Sequence, residues 1–407
     1  MVIGINYYPE VTSTGLYTTE MCEWFTRKGH DVNMITAFPY YPEWKVYKGY
    51  TNKLQVEDIN SVKVLRSYVY VPERVTTKSR ILHEVSFGVS SLVNLVKQLF
   101  SKPDIVISIC PPFQLGLHGY MLSKLLNIPF VYHIQDLQLD AAVDMNMIKN
   151  KKLINWLQKI ECFLFSHANL VSTISLGMCE KIIQKGINPG KVVLFPNWSD
   201  IQTIRPMEKY NSFRKRNGIK ENDFVVLYAG NMGEKQALDT VVEAANLLKT
   251  NIDIKFIFVG SGAKKNELQA MVSSYGLINV LFLDVQPKNE LVYMLNAADI
   301  SLVTQQKTVT DIVMPSKLTN ILASGTAAVV CASDNCEAAK IVSNHNCGVV
   351  LEPENPSKLA DAILGLSKQK EELELMGNNA RKYAETYLNY DEVLADFERK
   401  LTSMVRK

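Results

Sequence analysis

Short apolar runs alternate with longer amphipathic stretches along the whole chain. In the first half the runs fall at residues 2–6, 32–36, 62–65, 105–109, 130–134, 170–172 and 192–195. Apolar positions recur at helical spacing between them, over 16–27, 115–126, 153–165 and 178–185. A run that is apolar at nearly every position, such as 105–109, suits a strand covered on both faces, as in a parallel sheet. Strands alternating with helices predict βαβ units. The pattern breaks over 197–217, a polar stretch with Pro206 and the run Arg214-Lys215-Arg216. It restarts with runs at 224–228, 256–259, 281–283, 300–303, 327–331 and 348–351. Helical stretches lie at 237–248, 264–275, 290–297, 317–323, 356–366 and 371–385. The expected class is α/β, with two Rossmann-like, doubly wound domains over 1–200 and 201–385. Open sheets of this kind bind ligands outside the carboxyl ends of their strands. Two such domains facing each other would place a cleft there.

Length supports the division, since 407 residues exceed what one core sustains, about 250–300 residues. A net charge of +3, with no RNP, zinc-finger or basic-helix pattern, argues against a nucleic-acid partner. The charge is uneven, however. Between Lys45 and Lys102 ten basic residues stand against Glu57, Asp58, Glu73 and Glu84, a local excess of +6. Seven cysteines, odd in number and without a C-x-x-C, fit a reduced, cytosolic chain with buried thiols and no zinc site. Met1–Asn6 runs straight into a strand-like pattern, so no signal peptide is expected. No run of ~18 uncharged apolar residues occurs, so no transmembrane helix is expected either.

The candidate chemistry follows the strands. Gly15 sits at a predicted helix start, where a backbone N–H can approach an anion or form a plain turn. Gly230, Asn231, Gly233 and Lys235 follow the run at 224–228; two glycines and a lysine before a helix suit a phosphate, without being a Walker A loop. Gly260-Ser261-Gly262 is a second tight turn, for which packing is sufficient reason. The sharpest segment is Pro315-Ser316-Lys317-Leu318-Thr319-Asn320. Pro315 fits a first helical turn, Ser316 and Lys317 then flank orphan N–H groups, and Asn320 lies one turn on, able to meet a ribose hydroxyl. His133 and Asp136 end the run at 130–134 and are candidates for a base or for gripping sugar hydroxyls; His133 reads equally as a structural residue. No Asp-x-Asp occurs, so no diphosphate-holding metal is expected.

These elements, in this order, resemble the GT-B fold glycosyltransferases of family 4, over essentially the whole chain. The carrying segments are Gly4-Ile5-Asn6-Tyr7-Tyr8-Pro9-Glu10, Tyr40-Tyr41-Pro42-Glu43-Trp44, His133-Ile134-Gln135-Asp136, Phe195-Pro196-Asn197-Trp198-Ser199, Gly230-Asn231-Met232-Gly233-Glu234-Lys235-Gln236 and Pro315-Ser316-Lys317-Leu318-Thr319-Asn320-Ile321-Leu322-Ala323. The look is of bacterial fucosyl- and N-acetylfucosaminyl-transferases of the colanic-acid and O-antigen type. The resemblance implies an acceptor-binding N-terminal domain, a nucleotide-sugar-binding second domain, and a helix over 386–407 crossing back to the first. It implies a UDP-linked donor, Lys235 and the Ser316-Lys317 helix start on the diphosphate, Gly15 nearby, and a base-contacting loop over 283–288 that includes Val285. Asn231 stands where the family commonly has Arg. Ile312 and Asn320 stand where it often has two glutamates, with Asn320 or Asp311 as replacements.

The implied reaction is displacement at the sugar's anomeric carbon, with Asp136 as base if the configuration inverts. It needs no cofactor and no metal. The implied acceptor is a sugar on a polyprenyl diphosphate. Basic residues beside apolar ones at 74–100 and 149–163 then suggest a protein peripheral on the cytoplasmic face of the inner membrane. The alternatives are a nucleotide-sugar 2-epimerase of the same fold and a catalytically idle nucleotide-sugar-binding protein.

Overall fold

The central strands of each sheet are hidden on both faces, which is why the sequence reads there as unbroken apolar runs. The computed structural model describes residues 1–10, 13–144, 150–308 and 315–405. The chain divides into two units, Met1–Pro196 with Leu394–Lys407, and Asn197–Val393.

Unit 1 runs β1 (Val2–Ile3), α1 (Ser13–Arg27), β2 (Asn33–Ala37), β3 (Gln55–Ile59), β4 (Val62–Ser67), α2 (Thr77–Ser101), β5 (Val106–Cys110), α3 (Leu115–Leu126), β6 (Phe130–Ile134), α4 (Gln138–Asp144), α5 (Lys151–His167), β7 (Leu170–Thr173), α6 (Leu176–Gln184) and β8 (Val192–Leu194). Its sheet order is β3-β4-β2-β1-β5-β6-β7-β8, parallel throughout except β3. The apolar pattern does not predict β3. It is an edge strand, Gln-Val-Glu-Asp-Ile, largely exposed and therefore free of an apolar face. Asn60 and Ser61, at φ 50° and 67°, turn it back on β4, the geometry of a two-residue hairpin. The 25-residue α2 is capped by Thr76, whose hydroxyl accepts from Ser79 N at 3.2 Å while Ser79 Oγ accepts from Thr76 N at 2.8 Å.

Unit 2 runs α7 (Ser212–Arg216), β9 (Phe224–Ala229), α8 (Leu238–Leu247), β10 (Ile254–Val259), α9 (Lys265–Ser274), β11 (Val280–Leu283), α10 (Leu291–Asn296), β12 (Ile300–Thr304), α11 (Ser316–Ala323), β13 (Ala327–Cys331), α12 (Glu337–Asn344), β14 (Gly348–Leu351), α13 (Pro356–Leu366) and α14 (Lys370–Tyr387). A last helix, α15 (Tyr390–Val405), belongs to unit 1 from Leu394 onward. There Phe397 stacks on Phe195 with ring centroids 3.8 Å apart. The unit 2 sheet is wholly parallel, in the order β11-β10-β9-β12-β13-β14. Both units are thus doubly wound α/β folds. Strand order reverses between β1 and β5 in unit 1, and between β9 and β12 in unit 2. Crossover helices leave on opposite faces at such a point and open a crevice at the strands' carboxyl ends.

Two glycines let strand-end loops meet backbone to backbone in unit 2. A Cβ on Gly260, at φ 145°, would stand 2.0 Å from Gly230 O, and one on Gly262, at φ 152°, 2.4 Å from Met232 O. The contact is closed by Gly230 N donating to Val259 O (2.9 Å), Met232 N to Ser261 O (2.8 Å) and Lys264 N to Met232 O (2.9 Å). Gly260→Ala should therefore destabilise the chain by roughly 2 kcal/mol or more. Gly365→Ala, an exposed α13 position whose Cβ would meet nothing within 4 Å, should be neutral or stabilising by up to ~1 kcal/mol. Thermal melts of the two variants check the contrast.

Candidate functional site

In unit 2 α11 packs against β12 and β13. Pro315 precedes α11 and offers no side-chain cap; of the first N–H groups, Leu318 N donates to Pro315 O at 2.9 Å. Lys317 is the second residue of that helix. Its Nζ is wholly enclosed and has no hydrogen-bond partner among the described residues. It lies 4.0 Å from the centre of the Tyr228 ring and 3.7 Å from where a Cβ on Gly230 would stand. Burial pulls the amine down from its ordinary 10.5 to about 7. A buried amine without a hydrogen-bond partner among the described residues costs stability, and the face of the Tyr228 ring is the group set against it.

The loop after β9 is held beside it. Tyr228 OH donates to Asn231 O at 2.6 Å, Gly233 N to Gln236 Oε1 at 3.1 Å, Thr304 Oγ1 to Gln236 O at 2.7 Å and Gln306 N to Lys235 O at 2.9 Å. Gly230, Asn231 and Lys235 are exposed on this loop, and Lys235 has no ion-pair partner among the described residues. Ser316 is exposed and Pro315 half-buried at the start of α11. Asn320 Oδ1 accepts from Ser199 Oγ at 2.8 Å. Val285, 68% exposed, stands on the loop after β11, next to Asp284, which is paired with Lys265 at 2.6 Å. Gly260 packs on Gly230, so its part is to let the two loops touch. Asp311 and Ile312 lie outside the described residues.

Unit 1 has its own crevice at the reversal between β1 and β5, of about 770 Å³ with its open mouth included. Residues following four strands line it, among them Asn6 and Gly15 after β1, Tyr40 after β2, Pro111 after β5 and Asp136 after β6. Gly15 is packed tightly, since its Cβ would stand 3.3 Å from Glu10 Cβ. Asp136 is half-buried. His133 is placed differently from its neighbour. The ring is 2% exposed, with Nδ1 3.0 Å from Ser172 Oγ and Nε2 2.9 Å from Gln135 Nε2. Burial holds it down at about 3, so it is neutral.

Two buried charged residues that sequence reasoning gave no role tie these loops down. Glu10 Oε1 accepts from Tyr40 N and Tyr41 N, both at 2.8 Å, and its Oε2 accepts from Asn6 Nδ2 at 2.7 Å. Burial pushes its carboxyl up, and those donors oppose the shift. Arg66 is fully buried, pairs with Glu57 and donates to Ala37 O at 2.9 Å and Tyr8 O at 2.6 Å. The available signal for Arg66 was a cation inside an apolar strand, Val62-Lys63-Val64-Leu65-Arg66. Such a group needs several acceptors.

Residues 209–383 match the family described as glycosyl transferases group 1, and residues 13–198 the glycosyl transferase 4-like domain. WcaI of Escherichia coli strain K12, named for glycosyl transfer in colanic acid biosynthesis, is 36% identical over 405 residues, covering 98% of each chain. The chain belongs to the group 1 glycosyltransferases. Among solved structures, a sucrose-phosphate synthase of Thermosynechococcus elongatus superposes with a TM-score of 0.78 at 15% identity, covering 99% of this chain and 98% of that one. HepE of Anabaena, solved with UDP and glucose, gives 0.71 at 15% identity, covering 99% of each. These two share the fold.

In this glycosyltransferase the Lys317 amine sets a pH dependence. Between pH 7 and 10.5 the folded chain binds fewer protons than the unfolded chain. The burial penalty is therefore full below about pH 7, shrinks as pH rises and vanishes above 10.5. Lys317→Met keeps the bulk and removes the charge. In ligand-free protein its Tm should exceed that of the parent at pH 6, with the gap closing by about pH 10. Equal Tm values at pH 6 would contradict an unpaired buried cation.

Proposed function

We propose that the chain transfers a sugar of the L-fucose or N-acetyl-L-fucosamine type from a UDP-linked donor to a sugar carried on a polyprenyl diphosphate, in the assembly of a bacterial surface polysaccharide. Lys317 carries the reading: an unpaired amine at an uncapped helix start, at the β9/β12 reversal, has the charge and placement that a diphosphate needs. The bond from the anomeric carbon to the leaving phosphate oxygen breaks as the acceptor oxygen bonds to that carbon. Negative charge grows on the leaving nucleoside diphosphate. Lys317, Lys235 and the α11 N–H groups stabilise it. These groups are all positive or N–H donors, so a divalent cation has no ligand among them and the charge is met without one. Asn320 meets the ribose, Val285 lies against the base, and Gly230 leaves room for the phosphates. In inverting transfer Asp136 takes the acceptor proton. In retaining transfer the leaving phosphate takes it, and Asp136 orients the acceptor. His133, neutral and bonded on both nitrogens, holds Gln135 rather than moving a proton.

Lys235→Ala and Lys317→Met should each lower kcat/KM by ~10²-fold or more. Near-parental turnover in either removes that residue from the mechanism. Incubating the protein with labelled UDP-sugar and a lipid-linked N-acetylglucosamine diphosphate separates the readings: glycosylated acceptor supports transfer, an isomerised donor means an epimerase, and binding without turnover means an idle binder.

We infer that the transfer takes place at the cytoplasmic face of the inner membrane. No helix among the described residues is long and apolar enough to cross a membrane. In unit 1, however, α3 packs against both α2 and α5, and the three expose Val89, Val96, Phe100, Met121, Leu125 and Trp156. Their exposed ionised side chains are all cationic: Lys78, Arg80, Lys97, Lys124, Lys151, Lys152 and Lys159. Their two carboxylates are turned in, Glu84 half-buried against Gln138 and Glu161 buried on Lys185. A face of that kind suits anionic lipid. The protein should float with phosphatidylglycerol-containing liposomes, release at high salt, and ignore neutral ones; salt-independent or absent flotation would reject the attachment. Lys149 lies outside the described residues.

A further inference from the structure

The amide of Asn320 is held from a part of the chain far from α11. Ser199 Oγ donates to Asn320 Oδ1 at 2.8 Å, across 121 positions of sequence. A side-chain amide has one acceptor oxygen and an NH2 group with two donors. With Oδ1 taken, the Nδ2 donors remain, and nothing among the described residues accepts from them. Asn320 is half-buried and stands one turn after the exposed Ser316, on the same face of α11. An unbonded amide can turn about its last torsion at little cost and present oxygen or NH2 alike. Turned the other way, this one would donate to Ser199. The buried hydroxyl would then have no acceptor among the described residues for its own proton, a cost that the observed orientation avoids.

Ser199 is itself fixed. It is 2% exposed. Its N donates to Leu388 O at 2.9 Å and its O accepts from Tyr390 N at 3.3 Å, which sets it as a parallel bridge beside Asn389. The residues that follow are stitched to the far end of α11. Arg381 of α14 donates through Nη1 to Ile204 O (2.9 Å) and Ala323 O (2.7 Å), and through Nη2 to Ile201 O (3.0 Å). Ala323 is the last residue of α11. Ile201 and Ile204 are buried in one core with Leu318, Ile321 and Leu322. The backbones of α14 and the turn after α11 also meet closely, since a Cβ on Gly377 would stand 2.3 Å from Gly325 O. One guanidinium therefore ties the segment that carries Ser199 to the helix that carries Asn320. The hydroxyl meets the amide at a set place and with a set polarity.

We propose that Ser199 is a positioning residue for donor recognition: it holds Asn320 Oδ1 inward so that Nδ2 donates to a ribose hydroxyl oxygen of the nucleoside diphosphate. This assignment rests on the reading above that Asn320 meets the ribose, and adds which atom does so and what aims it. An aimed N–H distinguishes a ribonucleotide from its deoxy form, because the deoxy sugar lacks the accepting oxygen. Without Ser199 the amide is free to turn, and the ligand itself must order it.

The test is calorimetric titration of the full chain with UDP, 2′-deoxy-UDP and 3′-deoxy-UDP. The parent should favour UDP over at least one deoxy analogue by about three- to tenfold, the worth of one hydrogen bond. Ser199→Ala should cut that preference to less than half. Ser199→Cys, close in size but a weak donor, should lower it in the same direction, and Ser199→Thr, which keeps the hydroxyl, should retain it. Asn320→Ala should abolish the preference, and adding Ser199→Ala to it should change nothing more, because the serine acts through the amide. A merely structural serine gives a different result: Ser199→Ala then weakens all three ligands by one common factor, and that outcome overturns the proposal. So does a parent that binds UDP and both analogues equally. A parent that binds none of the three refutes the donor reading itself, and the role of Ser199 falls with it.

Discussion

A parallel strand can be added to a sheet only after the chain has crossed back over one face, so every loop that follows a strand lands on the same edge. Both units obey this constraint, with the hairpin strand β3 as the exception. It gathers residues that are far apart in sequence. Tyr228, Gly230 and Lys317 meet in unit 2 across nearly ninety positions. Asn6, Tyr40, Glu84 and Asp136 meet in unit 1 across a longer span. The reversal of strand order then decides which of these loops stand apart and leave a crevice.

The two units hold their loops by different physics. In unit 2 backbone meets backbone, and the absence of a Cβ at Gly260 and Gly262 makes the approach possible. In unit 1 buried charges do it: Glu10 collects two backbone N–H groups and an amide, and Arg66 reaches the carbonyl at the end of β2 and one in the loop after β1. Each of these charges is bonded several times over, as burial demands. Lys317 and His83 depart from the rule. Lys317 Nζ and His83 Nε2 are both enclosed and have no hydrogen-bond partner among the described residues. Such atoms cost stability, and the Lys317 amine, the cation among them, carries the largest share.

Much of the fold was legible because it depends on local pattern. β6 spans 130–134, the bounds of its apolar run, and Lys317 lies in the first turn of a helix behind Pro315, as its cap chemistry predicts. β3 was not legible, since an exposed edge strand has no apolar periodicity, and its Asn60-Ser61 turn lacks the glycine that usually signals a hairpin. The amphipathic stretch after Thr76 was legible as basic and apolar, but its extent as one 25-residue helix was not. His133 and Asp136 read alike as residues at one strand end. The end of β6 at Ile134 separates them: His133 is inside the strand, its imidazole on Ser172 and Gln135, while Asp136 lies two residues beyond it, half-buried in the crevice lining.

The sequence alone determined the α/β class, the positions of most central strands, and the residue types that follow them, because periodicity and cap chemistry act over a few residues. Only the tertiary structure decided that Lys317 has a buried amine without an anion among the described residues, that Glu10 and Arg66 are the fasteners of unit 1, and that the His83 ring lies against Trp44. Burial and the pairing of charges are set by neighbours brought from elsewhere in the chain, and the strand order that brings them is not written in any local run.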